Sequence, residues 1–349
     1  MRRSILVVTL LLSLGGCASQ YTGDYSEKAA QQANNIDSWQ GPVAGAEPVS
    51  LITDLVNSAD IKLLIDEALQ NNPGLQQQYV ALKTAQLARS SANAERLPSV
   101  SAGLSGNRQE NSDTQYTGSL DISWELDLWQ KLGDSVATAD WAVAASEADV
   151  KAVQNELAAQ VIRAYVQVSY YQQLIVIEQS RLSLLENNED LIKQRYRAGL
   201  GELEDLDTAR TSSASSRADI AAYQQALGES VRTLGVLLGR SQLTINDISL
   251  LDTLPDVMLP LPGLPEQNLS QRPDLLAAYA EIKTREFETK AAYKALLPSI
   301  SLSAALSDTA PTPAQAFLTN PVWGLLGQIT APLFQGGALR ANIDTSELA

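Results

Sequence analysis

The single cysteine, Cys17, is the side chain of this 349-residue sequence most suited to chemistry, and that chemistry is lipid attachment. Arg2 and Arg3 form a positive start, and an apolar run over 5–14 follows them. Because that run is too short to span a bilayer as a helix, residues 1–16 are predicted to be a cleaved signal peptide. Small residues directly before Cys17 resemble a bacterial lipobox, in which the cysteine becomes the lipidated first residue. The alternative is an ordinary signal peptide with an incidental cysteine.

The remaining residue types provide no recognisable catalytic group. The sequence contains no histidine, which removes the commonest general base and the commonest metal ligand. Its many carboxylates lie along predicted helices and strands rather than in a convergent motif. We therefore predict a non-enzymatic protein with no catalytic residue, no metal site and no cofactor. Methionine occurs only at Met1 and Met258, which disfavours a methionine-lined copper path.

The net charge of the sequence is strongly negative, at −15. Loss of the predicted signal peptide removes two arginines and no acid, so the mature chain is more negative still. Such a charge excludes nucleic acid as a partner. An acidic protein can line a path that repels anions and tolerates cations, although plain solubility explains the charge equally well.

The sequence contains an internal duplication of a helical segment. Asn72-Pro73-Gly74-Leu75 opens a segment that ends at Leu97-Pro98-Ser99. Arg272-Pro273-Asp274-Leu275 opens a second one that ends at Leu297-Pro298-Ser299, and both copies have the same spacing between their prolines. A repeated unit of helix followed by strands constrains the fold more than any single residue does.

Each copy is followed by residues that alternate between apolar and polar side chains. The clearest stretch places Leu120, Ile122 and Trp124 between serines and acids. A period of two over about ten residues is the length and pattern of a transmembrane β-strand. Leu128-Trp129-Gln130 and Leu333-Phe334-Gln335 end the two hairpins at an offset of 205 residues, against 200 for the helices. A soluble sandwich is the alternative for any one strand, but four such strands behind a lipoprotein signal favour a membrane barrel.

Four strands per chain imply that any barrel is shared between copies of the chain. Single-chain barrels begin at about eight strands, and open strand edges cannot face lipid. Two copies supply eight strands and three copies supply twelve.

Two long helices are predicted between the two repeats. Residues 134–198 carry an apolar seam close to a heptad repeat, and about 60 residues of this helix at 1.5 Å each give a rod of roughly 90 Å. The seam consists of Val150, Val153, Leu157, Val161, Ala164, Val168, Tyr171 and Ile175. A break around Gly199 is followed by a returning helix over 202–238, with Gly239 as its C-cap. The two helices are predicted to form an antiparallel coiled coil.

The predicted organisation follows the chain in nine segments. These are a signal peptide (1–16), a lipidated, extended linker (17–58), the helix of repeat 1 (59–98), β-hairpin 1 (99–129), a long helical hairpin (130–239), an irregular connection (240–267), the helix of repeat 2 (268–298), β-hairpin 2 (299–335) and the start of a second helical hairpin (336–349).

Together these features resemble the outer-membrane factors, the TolC-like efflux proteins, in their lipoprotein branch. The residues that carry the resemblance are Cys17, Asn72-Pro73, Leu97-Pro98-Ser99, Trp124-Glu125-Leu126-Asp127-Leu128-Trp129, Arg272-Pro273-Asp274-Leu275, Leu297-Pro298-Ser299 and Pro332-Leu333-Phe334-Gln335-Gly336-Gly337. The resemblance covers nearly the whole mature chain, and it is the combination of motifs that is specific.

The resemblance implies a mainly α protein with β-strands, anchored by lipid in the outer membrane of a Gram-negative bacterium. Three copies would share a 12-stranded barrel, and their coiled-coil helices would form a periplasmic α-barrel. This passive duct would export small molecules received from an inner-membrane efflux pump through a periplasmic adaptor. The residues expected at the adaptor-contacting tip are Gly199, Leu200, Glu202, Asp205 and Leu206. Acids here also suit a solvated helix start.

The sequence departs from the family pattern after β-hairpin 2. With the offset of 205, a second helical hairpin is expected to end about 95 residues beyond Ala349. The chain is therefore expected to lack that hairpin, as a fragment or as a natural truncation that does not conduct normally, and no gate residue is assigned. The alternatives to an export duct are a periplasm-spanning structural lipoprotein and a non-functional truncated efflux protein.

Overall fold

The computed structural model describes residues 23–34, 58–110, 112–249, 272–316 and 319–348. Cys17, the predicted signal peptide and most of the predicted connection at 240–267 lie outside the described residues. The helices are α1 (Tyr25–Asn34), α2 (Ala59–Asn71), α3 (Pro73–Ala94), α4 (Lys131–Arg197), α5 (Leu203–Leu237), α6 (Pro273–Lys294) and α7 (Ala338–Leu348), with a 3-10 turn at Ile245–Asp247. The strands are β1 (Ser99–Asn107), β2 (Gln115–Leu126), β3 (Ser299–Ala310) and β4 (Val322–Thr330).

The chain divides into two compact units. The sheet unit comprises Met1–Asp37, Val80–Asp149 and Glu266–Ala349, and the hairpin unit comprises Ser38–Tyr79 and Val150–Pro265.

The sheet unit contains one four-stranded sheet with the order β1-β2-β3-β4, antiparallel throughout. The two predicted hairpins are therefore joined side by side through β2 and β3. Leu120 lies opposite Leu306, and Leu306 lies opposite Trp323. Since side chains alternate between the faces of a strand, this register places the alternating apolar residues of the four strands on one face. Val322 and Leu326 of β4 lie on the other face, opposite Ser307 and Ser303.

The helices of the sheet unit follow the same order as its strands. Arg89 of α3 forms an ion pair with Asp140 of α4. Asp134 of α4 pairs with Lys294 of α6 at 2.5 Å. The Thr289 hydroxyl of α6 donates to the Ser346 carbonyl of α7 at 2.9 Å. The order α3-α4-α6-α7 thus repeats the order of the strands.

The hairpin unit is built from the distal part of α4 and the returning helix α5. The Ser216 hydroxyl of α5 donates to the buried Glu178 carboxylate of α4 at 2.7 Å. Towards the turn, Arg217 pairs with Glu186 at 2.9 Å. Six positions of the predicted seam are buried, namely Val150, Leu157, Val161, Ala164, Val168 and Ile175. Among the described helices, none is long and apolar enough to cross a membrane.

The Asn72-Pro73 motif joins α2 to α3 and also holds the end of α5. The Asn72 side-chain amide donates to the Leu237 carbonyl at 2.9 Å, while its oxygen accepts the Leu75 amide at 3.0 Å and caps α3. The Arg240 guanidinium donates two hydrogen bonds, of 2.5 and 2.7 Å, to the Glu67 carboxylate of α2. The segment predicted as the helix of repeat 1 (59–98) thus contains two helices, which meet at Pro73.

The extended conformation predicted for residues 17–58 is wrong at α1. The Ser26 hydroxyl is buried and donates to the Glu286 carboxylate of α6 at 2.6 Å. Lys290 contacts the same carboxylate at 2.8 Å. A polar segment therefore becomes helical here because a paired carboxylate on α6 holds it.

The docking of α1 is expected to weaken in acid. Burial alone would raise the pKa of Glu286, but Lys290, Ser26 and Lys283 outweigh burial and lower it. A lowered folded-state pKa contributes stability above the unfolded value of about 4.3 that is lost as pH falls through the folded value. We expect the protection of α1 against hydrogen exchange, expressed relative to the intrinsic exchange rate at each pH, to fall below about pH 4. The variant E286Q should exchange faster at pH 7 and lose this pH dependence, whereas S26A should retain it. An unchanged pH profile in E286Q would contradict the assignment.

Candidate functional sites: an amphipathic sheet and an exposed hairpin tip

The four-stranded sheet has two faces of opposite chemistry. One row across the strands joins Val100, Ile122, Ala304 and Leu325, and the neighbouring row joins Ser99, Ser123, Ser303 and Leu326. The apolar face is exposed, with Val100 at 64%, Leu325 at 72% and Trp323 at 76%. A soluble protein rarely exposes so continuous an apolar surface, so this face marks a site of contact with lipid or protein.

Both edges of the sheet are open among the described strands. Every residue of β1 and of β4 is exposed, whereas β3 is mostly half-buried and β2 is exposed at only five of its 12 residues. An unpaired edge presents free backbone N–H and C=O groups that readily pair with another strand. The strands are therefore hydrogen-bonded to each other inside the sheet, while the outer edges of β1 and β4 are free to pair with further strands.

Two tryptophans tie the sheet to the corners that precede it. The Trp124 indole N–H donates to the Arg96 carbonyl at 2.9 Å, next to the Leu97-Pro98 corner before β1. The Trp129 indole N–H donates to the Pro298 carbonyl at 2.7 Å, at the corresponding corner before β3. Trp129 thus connects the end of repeat 1 to the start of repeat 2.

The carboxylate of Asp127 starts the long helix α4. Its two oxygens accept the amides of Leu132 at 3.0 Å and Gly133 at 2.7 Å. These are first-turn N–H groups, which have no partner within a helix. Lys131 then pairs with Glu125 at 2.7 Å. In the sequence Asp127 belongs to the Trp124–Trp129 motif, and an aspartate shortly before a helix is also a recognised capping signal.

The corresponding junction in repeat 2 is uncovered. Leu333 and Phe334 occupy the positions of Leu128 and Trp129, yet they are 88% and 89% exposed. Trp129 is 44% exposed because it lies on the Pro298 corner. The aromatic residue of repeat 2 thus lacks the contact that its counterpart makes.

The predicted tip lies at the turn between α4 and α5. Gly199 has a φ of +70°, and the Leu200 amide donates to the Arg195 carbonyl at 2.9 Å. This is a Schellman ending, which favours glycine because the left-handed backbone strains other residues. Leu200 is 71% exposed beside it.

The acidic residues of the tip open α5. Glu202 stands at the N-cap without a side-chain capping bond, and Asp205 lies in the first helical turn. Both are exposed, where carboxylates favour the positive end of the helix dipole. Leu206 differs from the other predicted tip residues because it is only 3% exposed. Its side chain packs inside the hairpin, so it supports the tip rather than forming its surface.

Within the described residues, no three His, Cys, Asp or Glu side chains are grouped so that they could hold a metal ion. The acids at the tip and on the sheet are dispersed. The arrangement can insert apolar surface into lipid, recruit strands at two edges and present a helical turn to a partner.

Known proteins with similar sequences show the family to which this chain belongs. The sequence model described as outer membrane efflux protein matches residues 64–240 and 264–349, which together cover both repeats and the helical hairpin. The chain belongs to the outer membrane efflux protein family. It is therefore an outer-membrane efflux transport protein, as the motifs of the two repeats predict.

Two relatives show the extent of the similarity. The outer membrane protein OprJ of Pseudomonas aeruginosa is 27% identical over 364 residues, which cover 98% of this chain and 74% of OprJ. The cation efflux system protein CusC of Escherichia coli K12 is 29% identical over 301 residues, covering 82% of this chain and 65% of CusC. The chain thus spans about two-thirds to three-quarters of the length of these relatives.

A solved structure shares the fold. The open-state MtrE outer membrane channel of Neisseria gonorrhoeae superposes with a TM-score of 0.77 at 25% identity, over 90% of this chain and 73% of MtrE. The predicted fold class is confirmed in its coarse form, a mainly helical protein with a four-stranded sheet. None of these three proteins is named as an enzyme.

Proposed function

We propose that this protein is the outer-membrane channel of a tripartite efflux system. Three copies form a passive duct that exports small molecules delivered by an inner-membrane pump and a periplasmic adaptor. The pump supplies the energy, so no residue of this chain acts as a catalyst.

The observation that carries this proposal is the exposed amphipathic sheet with two open edges. Its strands are 9 to 12 residues long, against the roughly 9–11 that a tilted transmembrane strand needs. Lipid tolerates no open edge, so the edges must be paired between copies. Three copies give twelve strands, with the apolar face towards lipid and the serine-rich face towards a water-filled lumen.

The length of the helices supports a periplasmic tunnel. Helix α4 contains 67 residues, which is roughly 100 Å at 1.5 Å per residue. The antiparallel pairing of α4 with α5 supports the proposed coiled coil, which would line the tunnel as an α-barrel. Export of a copper ion by a methionine path is disfavoured because the only methionines are Met1 and Met258.

We propose that Cys17 carries the lipid that anchors the N-terminus. Its thiol is the only one in the sequence, and small residues precede it. Cells grown with radiolabelled palmitate should incorporate label into the wild-type protein and none into C17S. The C17S protein should still insert into the outer membrane and form the barrel, because the sheet supplies its own apolar surface. Equal labelling of both proteins would contradict the lipobox assignment.

We propose that the turn around Gly199 contacts the adaptor through Leu200 and the flanking acids. The variant L200D places a charge on this surface and is expected to reduce efflux at least tenfold, while the oligomer is retained. A tenfold weaker contact corresponds to about 1.4 kcal/mol of binding free energy. L184D is the matched control, because Leu184 on α4 is also 71% exposed. Retained efflux in L200D would exclude Leu200 from the contact.

The proposal is tested in cells that lack their own efflux outer-membrane channel. Co-expression of this gene with the pump and adaptor of its source organism should lower the accumulation of an efflux dye. The reading as a structural, periplasm-spanning lipoprotein predicts no change in accumulation although the protein reaches the outer membrane.

A further inference from the structure

The spacing of the apolar seam on α4 continues past Ile175, but its next position is a carboxylate. Glu178 follows after three residues and is only 8% exposed, and Leu182 follows after four more. The facing helix α5 buries Ser213 and Ser216 completely. A charged side chain is almost never buried in this way unless it is paired. The middle of the hairpin unit therefore contains a polar layer inside an otherwise apolar seam.

Glu178 is held from both helices of the hairpin. The Ser216 hydroxyl of α5 donates to its Oε1 at 2.7 Å, and Arg181 of α4 contacts the same oxygen at 2.9 Å. The other buried serine, Ser213, donates instead to the Ala209 carbonyl of its own helix at 3.2 Å. Ser216 is thus the serine that connects this carboxylate to α5.

Two further acids of α4 pair with α5 closer to the turn. Glu186 contacts Arg217 at 2.9 Å, and Glu189 contacts Arg210 at 3.9 Å. The Glu186 side chain is 46% exposed, so its ion pair alone contributes little. Together with the buried Glu178, however, these pairs define one register of α5 against α4.

A shift of α5 along α4 by one turn breaks this set of contacts. Three residues in one direction bring Asp219 to the place of Ser216, where two carboxylates would repel each other. Three residues in the other direction supply Ser213 in that place, but they also set Asp207 against Glu189. Shifts of four residues leave one of the three acids of α4 opposite an apolar side chain. The observed register is the one that gives all three acids a partner.

We infer that Glu178 and Ser216 are positioning residues, which fix the register of α5 against α4 and thereby the shape of the hairpin tip. A polar residue at a core position of a coiled coil specifies register at a cost in stability. In an antiparallel hairpin, a shift of one helix by a turn also moves residues into or out of the connecting turn. Such a shift would rebuild the surroundings of Leu200 and Leu206. The register stands on the hairpin alone, whereas its consequence for efflux rests on the proposed adaptor contact.

The variant E178L separates register from stability. Leucine leaves no buried charge, and the Ser216 hydroxyl can turn to a carbonyl of its own helix, as Ser213 does. The melting temperature of the helical circular dichroism signal should therefore stay the same or rise. Dye efflux should nevertheless fall at least about threefold as molecules leave the native register.

Two matched variants show which property of Glu178 matters. E178Q should retain efflux, because its amide oxygen still accepts the Ser216 hydroxyl. E186L makes the same replacement as E178L two turns further along α4, at an exposed ion pair, and should leave efflux unchanged.

Thiol labelling of the tip reports the register without any transport assay. Position 206 is 3% exposed and position 200 is 71% exposed, so a maleimide should label L206C in the purified oligomer much more slowly than L200C. Adding E178L should raise the labelling rate of L206C at least about tenfold, whereas E178Q and E186L should leave it protected. The protein with Cys17 as its single cysteine gives the background.

Each outcome decides the inference or the proposed function separately. Unchanged labelling of L206C in E178L overturns the inference, and so does an E178Q variant that behaves as E178L does. A lower melting temperature in E178L, with efflux falling alongside it, would mean that Glu178 only stabilises the hairpin. If the wild type exports no dye, the proposed function fails, while the labelling of L206C still decides the register. If L206C is labelled rapidly even with Glu178 present, the melting temperatures and efflux of E178L and E178Q decide it.

Discussion

L325R is expected to abolish assembly of the protein in the outer membrane. Leu325 lies in the middle of β4 on the apolar face and is 72% exposed. An arginine facing lipid near the bilayer midplane costs about 2–4 kcal/mol, and the oligomer would carry this cost once per copy. The oligomer band on unheated gels of outer-membrane fractions should be lost.

The adjacent residue provides the matched control. Leu326 is 58% exposed on the same strand, but it lies in the row of Ser303 and Ser123 on the polar face. Under the proposed barrel, L326R faces water in the lumen and should assemble as wild type does. If L326R lost the oligomer band and L325R kept it, the lipid-facing and lumen-facing sides of the sheet would be assigned the wrong way round.

G239A is expected to destabilise the hairpin unit by about 3 kcal/mol or more. Gly239 has a φ of +72°, where a side chain alone costs roughly 1–2 kcal/mol. A Cβ atom at this position would also lie 2.4 Å from the Asn71 carbonyl oxygen. The backbone cannot yield cheaply, because Asn72 and Arg240 hold α2 against the end of α5. The helical circular dichroism signal in detergent should melt at a clearly lower temperature.

The control variant G199A separates the cost of backbone strain from the cost of the steric clash expected in G239A. Gly199 has nearly the same φ, +70°, but a Cβ atom there would meet nothing within 4 Å. Its cost should be limited to the strain of roughly 1–2 kcal/mol. Equal melting temperatures for the two variants would show that the contact with Asn71 does not constrain Gly239.

The sequence predicts most of the sheet because its signals are local. The alternation around Trp124 and the matched corners at Pro98 and Pro298 indicate four strands in two hairpins, which the structure contains. The pairing of β2 with β3 is not readable from the pattern, since the two strands are almost 200 residues apart. Only the structure shows that the two repeats lie side by side.

Helix boundaries show where tertiary contacts override local signals. The long helix was predicted from 134, but it begins at Lys131 because the Asp127 carboxylate satisfies its first amides. Helix α1 lies in a segment whose composition predicts an extended linker. It depends on the buried contact between Ser26 and Glu286, 260 residues away.

The position of the turn at the candidate tip can be predicted from the sequence, but the residues that form its surface cannot all be predicted. Gly199 ends a long apolar pattern, and a left-handed glycine at that place is a common helix ending. Whether Leu200 or Leu206 faces outward depends on how α5 is rotated against α4. The structure resolves this difference, with exposures of 71% and 3%.

Ion conductance in planar lipid bilayers tests the central claim most directly. The protein should be purified from outer membranes of the organism that makes it, with the oligomer verified before insertion. We predict discrete conductance steps with a preference for cations, and a shift of the reversal potential towards anions in L326R. An inserted oligomer that produces no steps would contradict the channel and leave a structural lipoprotein in its place.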